Sequence, residues 1–127
     1  MNEMKKAIMA AALTPLEHTD DGAVACDYRF DEGFPGFSGH FPGYPIVPAI
    51  VQIMTARALI EDCHGAPLRL LAVEGAKFMM QLRPGEEIRV TCRQKEEHSL
   101  VYRALLSVGM DTAASFVLCL ATDGEVK

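Results

Sequence analysis

The sequence predicts an α+β fold in which one long central helix is wrapped by a curled antiparallel sheet of five or six strands. Three observations carry that expectation. The stretch from Ala49 to His64 runs for about four turns without glycine or proline and is apolar on nearly every side. Several later segments alternate apolar and polar residues, the period-two mark of strands with one buried face. The polar turns between them are short, which favours antiparallel neighbours over crossovers.

The totals are consistent with one domain spanning 1–127, with a candidate N-terminal helix over 1–14. A chain of 127 residues with 50% hydrophobic content can bury a real core. Its formal net charge is −5, and no run of Lys or Arg exceeds the Lys5-Lys6 pair, so a nucleic-acid partner is not expected. Cys26, Cys63, Cys92 and Cys119 show neither a CxxC nor a Cys/His ligand spacing. They read as small buried thiols in a reducing cytoplasm rather than as a zinc site or a disulfide frame. The apolar stretch near the N-terminus is short and has Glu3 among its basic residues, unlike a signal peptide. No segment approaches the roughly 18 apolar residues needed to cross a bilayer. The expected location is cytoplasmic.

Along the chain, Pro15 closes the first helical reading. Val24, Cys26, Tyr28 and Phe30 then alternate with Ala25, Asp27 and Arg29 as a strand. The segment GFSGHFPGYPIVPAI follows, with Pro42, Pro45 and Pro48 around His40. Each proline fixes φ near −65° and biases the preceding residue toward extended backbone, so His40 rides on a stiff loop. The helix from Ala49 to His64 comes next, with Gly65 as its C-cap. Its first turn presents unpaired N–H groups and the positive end of the helix dipole, a site for a carbonyl oxygen. Beyond it, LRLLAVEGAKFMMQL reads as a strand ending at RPGEE, where Pro84 and Gly85 suit a type II turn. Three more strands alternate through Ile88, Val90 and Cys92, through Leu100 to Val108, and through AASFVLCLAT, which implies a meander of four strands after the helix. His18, His64 and His98 sit in polar turns, and Met79 and Met80 read as strand residues.

The segment FSGHFPGYPIVPAIVQ, residues 37–52, resembles the signature of the hotdog-fold 3-hydroxyacyl-[acyl carrier protein] dehydratases of fatty acid synthesis. Gly39, His40, Phe41, Pro42, Pro45 and Pro48 fall at the family positions, and FMMQLRPGEEI is similar to the family's strand and turn after the helix. Gln52 resembles the corresponding residue of a smaller branch found with aryl polyene synthesis. The resemblance implies a single hotdog domain, the long central helix being the sausage in the roll.

It also implies roles. His40 would remove the proton alpha to a thioester carbonyl, and the backbone N–H of Ala49, where the family has glycine, would hold that carbonyl. Phe41, Pro42, Gly43, Pro48 and Met54 would contact substrate. The family acid, a Glu or Asp that protonates the leaving 3-hydroxyl from the partner subunit, lies fourteen residues after the histidine, which here is Met54. A thioether has no proton to give. Glu61 lies seven residues further, about 10 Å along a helix, and does not reach the same substrate atom.

No cofactor is implied, since phosphopantetheine arrives as part of the substrate carrier. Implied partners are acyl carrier protein or another acyl thioester, and a homodimer or larger homo-oligomer or a heterodimer with a paralogous dehydratase. Nucleic acid and a membrane span are not implied. Arg57, Arg69, Lys77 and Arg83 are candidates for a basic patch facing an acidic carrier. Plainer readings stand beside these. His40 would merely brace its loop, Met54 would pack in the core, and Arg57 and Glu61 would form an i,i+4 ion pair. Besides a dehydratase, the sequence admits a non-catalytic acyl-thioester-binding subunit and, less favoured by the histidine motif, a hotdog thioesterase.

Overall fold

The computed structural model describes residues 3–35 and 46–122. The element order is α1 (Glu3–Ala10), β1 (Glu17–His18), β2 (Val24–Arg29), α2 (Ala49–His64), β3 (Leu68–Phe78), β4 (Glu87–Gln94), β5 (Val101–Val108) and β6 (Asp111–Thr122). The strands form one antiparallel six-stranded sheet in the order β1-β2-β4-β5-β6-β3.

Alternation in the sequence becomes a buried face. Ile88, Val90 and Cys92 of β4 lie beside Tyr102, Ala104 and Leu106 of β5, with Val90 opposite Leu106 and Cys92 opposite Ala104. Phe116 of β6 continues the row opposite Ala104. α2 packs on this face through Val51, Ala56, Leu59 and Ile60, and the Cys92 thiol lies 3.8 Å from the Ala56 carbonyl oxygen. Phe116, Leu59, Ile60, Ile88, Leu106 and Leu118 are among the largest fully buried side chains. Each contributes about 1.5–3 kcal/mol of transfer free energy relative to exposure.

The sheet does not wrap the helix. A curled sheet enclosing α2 would bring the outer strands together, whereas β1 and β3 remain separate, unpaired edges of an open sheet. The edges themselves explain why: β1 has only two residues, and β3 shifts register twice against β6, between Leu70 and Ala72 and between Glu74 and Lys77. Nor is α2 enclosed, because Ala49, Asp62, Cys63 and His64 are exposed and Ile50 is 59% exposed. An all-round apolar helix therefore uses only part of its circumference within one chain.

The meander is also shorter than expected. β4, β5 and β6 follow one another, but β3 pairs with β6 at the far edge, and β4 pairs with β2. β3 ends at Phe78, so Met79 and Met80 lie just past the strand, where both of their N–H groups donate to the Ala113 carbonyl. Of the cysteines, only Cys26 and Cys92 are buried; Cys63 is exposed and Cys119 half-buried. Burial pushes the Cys92 thiol up, which leaves it an inert packing group.

At the N-terminus, α1 stops at Ala10 instead of continuing to Pro15. The backbone of the next residues turns to β2: Leu13 N–H donates to the Asp27 carbonyl at 2.7 Å, and Arg29 N–H donates to the Ala11 carbonyl at 3.0 Å. Ile8 is fully buried, and Lys5, one turn before it, lies 2.7 Å from a carboxylate oxygen of Glu61 on α2. Glu61 also accepts the Leu68 N–H at 2.7 Å, while Arg57 donates to the Leu68 carbonyl at 2.6 Å and lies 3.6 Å from Glu61. The expected i,i+4 pair exists, as part of a larger cluster. Gly65 caps α2 in the left-handed region at φ 89°, its N–H donating to the Glu61 carbonyl at 2.8 Å.

Glu61→Gln removes the buried charge that Lys5 and Arg57 face, and loss of one partner from such a cluster costs on the order of 3 kcal/mol. A thermal or denaturant melt should show a destabilisation of that order, with the first amide protection lost around Lys5 and Leu68.

At the β1–β2 turn, Arg93 donates to Asp21 Oδ2 at 2.8 Å and to its carbonyl oxygen at 2.6 Å, and the Thr19 hydroxyl donates to Asp21 Oδ1. The Arg93 and Thr19 hydrogen bonds lower the Asp21 carboxyl to about 2 from 3.8. Because the folded value is the lower one, this stabilisation is present above 3.8 and lost as pH falls from there through about 2. Carboxyl NMR should place the Asp21 midpoint near 2, and Arg93→Ala should return it toward 3.8.

Candidate functional site

The candidate site forms where the chain enters α2. Pro48 is the N-cap, with φ −64° and ψ 155° and no side-chain cap, so the helix opens without the usual hydroxyl or carboxylate over its first N–H groups. The Pro48 carbonyl accepts from the Val51 and Gln52 N–H groups at 3.0 and 3.1 Å. Ala49 and Ile50, on the first turn, have no intrahelical carbonyl to reach, which leaves them as donors at the positive end of the dipole.

Two anchors hold this entry in place. Val47 N–H donates to the Leu82 carbonyl at 2.7 Å, tying the approach to the segment after β3. Gln52 reaches back one turn, its Nε2 donating to the Val47 carbonyl at 3.1 Å. That carbonyl can only accept, so the amide's NH₂ end must face it, and Oε1 lies on the other side. Gln52 is 5% exposed, and its Oε1 has no hydrogen-bond partner among the described residues. Beside it opens a cleft of about 350 Å³ lined by Ile46, Val47, Ala49, Gln52, Phe78 and Met79, among others. Its walls are largely apolar, with Gln52 on the helix and Gln81 after β3 as the polar side chains among the described residues that line it.

Met54 lies elsewhere. It is half-buried and lines a separate cavity of about 200 Å³ between α1 and α2, with Lys5, Ile8, Arg57, Ala58 and Glu61. Residues two apart on a helix are about 200° apart around it, so Gln52 and Met54 occupy nearly opposite faces. Glu61 shares the Met54 cavity, but Lys5, Arg57 and the Leu68 N–H engage both of its oxygens.

Of the residues expected at the site, Ala49 lines this cleft, Pro48 is the N-cap of the helix beside it, and Met54 lines the other cavity. His40, Phe41, Pro42 and Gly43 lie outside the described residues, as do Gly39 and Pro45. The basic patch narrows. Arg57 is committed to Leu68 and Glu61 and Arg83 is half-buried, whereas Arg69 and Lys77 are exposed on β3. Sequence reasoning gave Gln52 no structural role; its three-residue spacing from Ala49, which places both on one side of the first turn, is the signal that would have found it. Among the described residues, no group of His, Cys, Asp or Glu is arranged to hold a metal ion, and no helix is long and apolar enough to cross a membrane.

An antiparallel sheet with a long helix packed across its face, opening on a proline cap, defines a hotdog-like domain. Residues 16–115 match the model of the ApeI-like family, described as ApeI dehydratase, and the chain belongs to that family. It is similar to the 3-hydroxyacyl-[acyl-carrier-protein] dehydratase FabZ of Thermotoga neapolitana, 33% identical over 114 residues covering 75% of this chain and 82% of that one. FabZ of Granulibacter bethesdensis is 28% identical over 76 residues, covering 53% of this chain and 45% of its own length. The chain thus spans about half the length of that relative. A chain of the dehydratase heterocomplex ApeI:P from Xenorhabdus doucetiae superposes with a TM-score of 0.75 at 19% identity, covering 87% of this chain and 96% of that one. At that identity the likeness is one of fold.

Proposed function

We propose that this chain is a dehydratase subunit acting on 3-hydroxyacyl thioesters carried by acyl carrier protein in the cytoplasm, completed by a paralogous hotdog partner. The observation that carries the reading is the uncapped head of α2. Seven residues after the Gly-His-Phe-Pro motif, Ala49 begins the helix and lines a largely apolar cleft that can take an acyl thioester, its N–H having no intrahelical acceptor. Membership of the ApeI-like family and the names of the FabZ relatives support the reaction class.

In this reading, the thioester carbonyl accepts from the Ala49 N–H, and charge developing on its oxygen as C2 loses a proton is met by the helix dipole. His40 takes that proton as a neutral base. The C3–O bond then breaks, and the hydroxyl leaves as water after protonation by an acid, giving the trans-2-enoyl thioester. Met54 supplies no acid, and in one copy it faces away from the Ala49 cleft. The proton therefore comes from a carboxylate on a partner helix. That the similar fold from Xenorhabdus doucetiae is a dehydratase heterocomplex, ApeI:P, supports a pairing of unlike subunits here. The exposed edge of β3, unpaired on one side, gives a partner a place to extend the sheet.

Met54 also favours a second reading, an accessory subunit that binds acyl thioesters without turning them over. The two separate in one experiment. With a 3-hydroxyacyl thioester, the purified chain alone should form little enoyl product, while addition of a dehydratase paralogue from the same genome should raise turnover in a way that His40→Ala in this chain abolishes. Met54→Glu should confer measurable dehydration on the chain alone. A folded Met54→Glu protein that binds thioester but stays inert, together with indifference of the mixed complex to His40→Ala, would establish the accessory reading.

Ala49→Pro tests the carbonyl donor. Proline is well tolerated at the first helical position, and Pro48 already has the extended ψ that a following proline requires. Stability should change by less than about 0.5 kcal/mol. Turnover of the assembled enzyme should nevertheless fall by about 10²- to 10³-fold, because one oxyanion donor is lost.

A further inference from the structure

Among the described residues lining the cleft at the head of α2, Gln52 carries a buried, unpartnered polar atom that the elimination does not use. Gln52 is 5% exposed and lines the cleft, its NH₂ end pinned to the Val47 carbonyl at 3.1 Å. Its Oε1 is buried without a hydrogen-bond partner among the described residues. Buried amide oxygens in folded proteins are nearly always bonded, so one left open beside a cleft is placed for a donor that arrives with a ligand.

The surroundings restrict what that donor is. Ile46, Val47, Phe78, Met79, Met80 and Gln81 make the adjoining walls, and among the described residues no charged side chain lines this cleft, which favours an uncharged ligand segment beside Oε1. Ala49, at the mouth of the helix, offers the opposite polarity, an N–H that seeks an acceptor. Residues three apart on a helix are separated by about 4.5 Å along its axis and about 60° around it. The cleft therefore asks for an acceptor and, a few bonds further along the same uncharged segment, an N–H donor.

A thioester on a cysteamine end has that pattern, with the sulfur and two methylenes between its carbonyl oxygen and the amide N–H. We infer that Gln52 is a recognition residue for the carrier arm, its Oε1 accepting the amide N–H nearest the sulfur of a phosphopantetheine-type thioester whose carbonyl lies at the Ala49 N–H. This inference rests on the acyl-thioester reading of the cleft. The contact lets the chain distinguish amide-bearing thioesters from other apolar acyl esters, and it sets the register of the acyl chain by holding the arm on the far side of the sulfur. Gln52 acts by positioning; it moves no proton.

The test compares two ligands by calorimetry on the full chain: a saturated S-acyl-N-acetylcysteamine thioester, which cannot be dehydrated, and its analogue with the amide N–H replaced by CH₂. Wild type should bind the N–H ligand about tenfold more tightly, since the analogue leaves a buried acceptor unpaired. In Gln52→Leu and, as a second variant of similar volume, Gln52→Met, with folding verified by thermal melting, the ratio should fall to near one. Ala49→Pro should weaken both ligands and keep the ratio.

Equal binding of both ligands by wild type would overturn the assignment of Gln52 while leaving the thioester reading intact, Oε1 then holding only water or nothing. A ratio that survives in a folded Gln52 variant would overturn it as well. Binding of neither ligand would overturn the assignment together with the thioester reading on which it rests.

Discussion

The buried carboxylate of Glu61 is the contact on which the placement of α2 depends. One side chain, 7% exposed, joins three elements: the Lys5 ammonium of α1, the Arg57 guanidinium of α2 itself and the Leu68 N–H that begins β3. A buried carboxylate without such partners carries a large desolvation penalty, so the cluster forms as a unit or not at all. Arg57 completes it by taking the Leu68 carbonyl, which satisfies both backbone groups of the first β3 residue with side chains of α2. The end of the helix is thereby locked to the start of the strand that follows it.

With one end fixed, the other end of the rod is determined by length and direction. A helix of sixteen residues rises about 24 Å. That carries its first turn across the sheet to the segment following β3, where Val47 bonds to Leu82 and Gln52 bonds back to Val47. The same strand, β3, thus anchors the helix C-terminus at Leu68 and frames the cleft at the N-terminus through Phe78. Small shifts of α2 against the sheet would move the Ala49 N–H relative to the apolar walls. The packed core beneath, with Ala56 and Ile60 fully buried, resists them.

How much of this was legible from the residues divides along physical lines. Local signals read well. The alternation through β4 and β5 gave the buried row from Ile88 to Leu106, Gly65 gave the helix end, and the spacing of Arg57 and Glu61 gave their pair. Period two reports which face a strand buries but is silent about which strand lies beside it, so the pairing of β3 with β6 instead of β4 was not to be had from pattern. The expected closure of the sheet failed for the same reason, since an apolar helix announces that it will be covered without saying by what. Lys5 joins Glu61 across 56 positions, and no local rule links them. At the site, the helix start after Pro48 was legible. The orphaned oxygen of Gln52 was not, because it arises from the choice of acceptor its own amide makes.

The two faces of α2 then bear on how chemistry would be divided. Ala49 and Gln52 look into a cleft walled by the same chain, while Met54, about 200° from Gln52, looks into the cavity beneath α1. A proton donor at position 54 could not serve a thioester bound at its own Ala49 without crossing the helix. Loss of the carboxylate there therefore leaves this chain's own cleft intact. What it removes is the group that position 54 would present to a neighbour. Selection for a pair of unlike subunits would tolerate that loss in one member, provided the other kept its acid. It would not tolerate loss of the uncapped helix start in the member that holds substrate. Under the proposed function, a helix start without a side-chain cap at Ala49 and a thioether at Met54 would be the division of roles that such a pair uses.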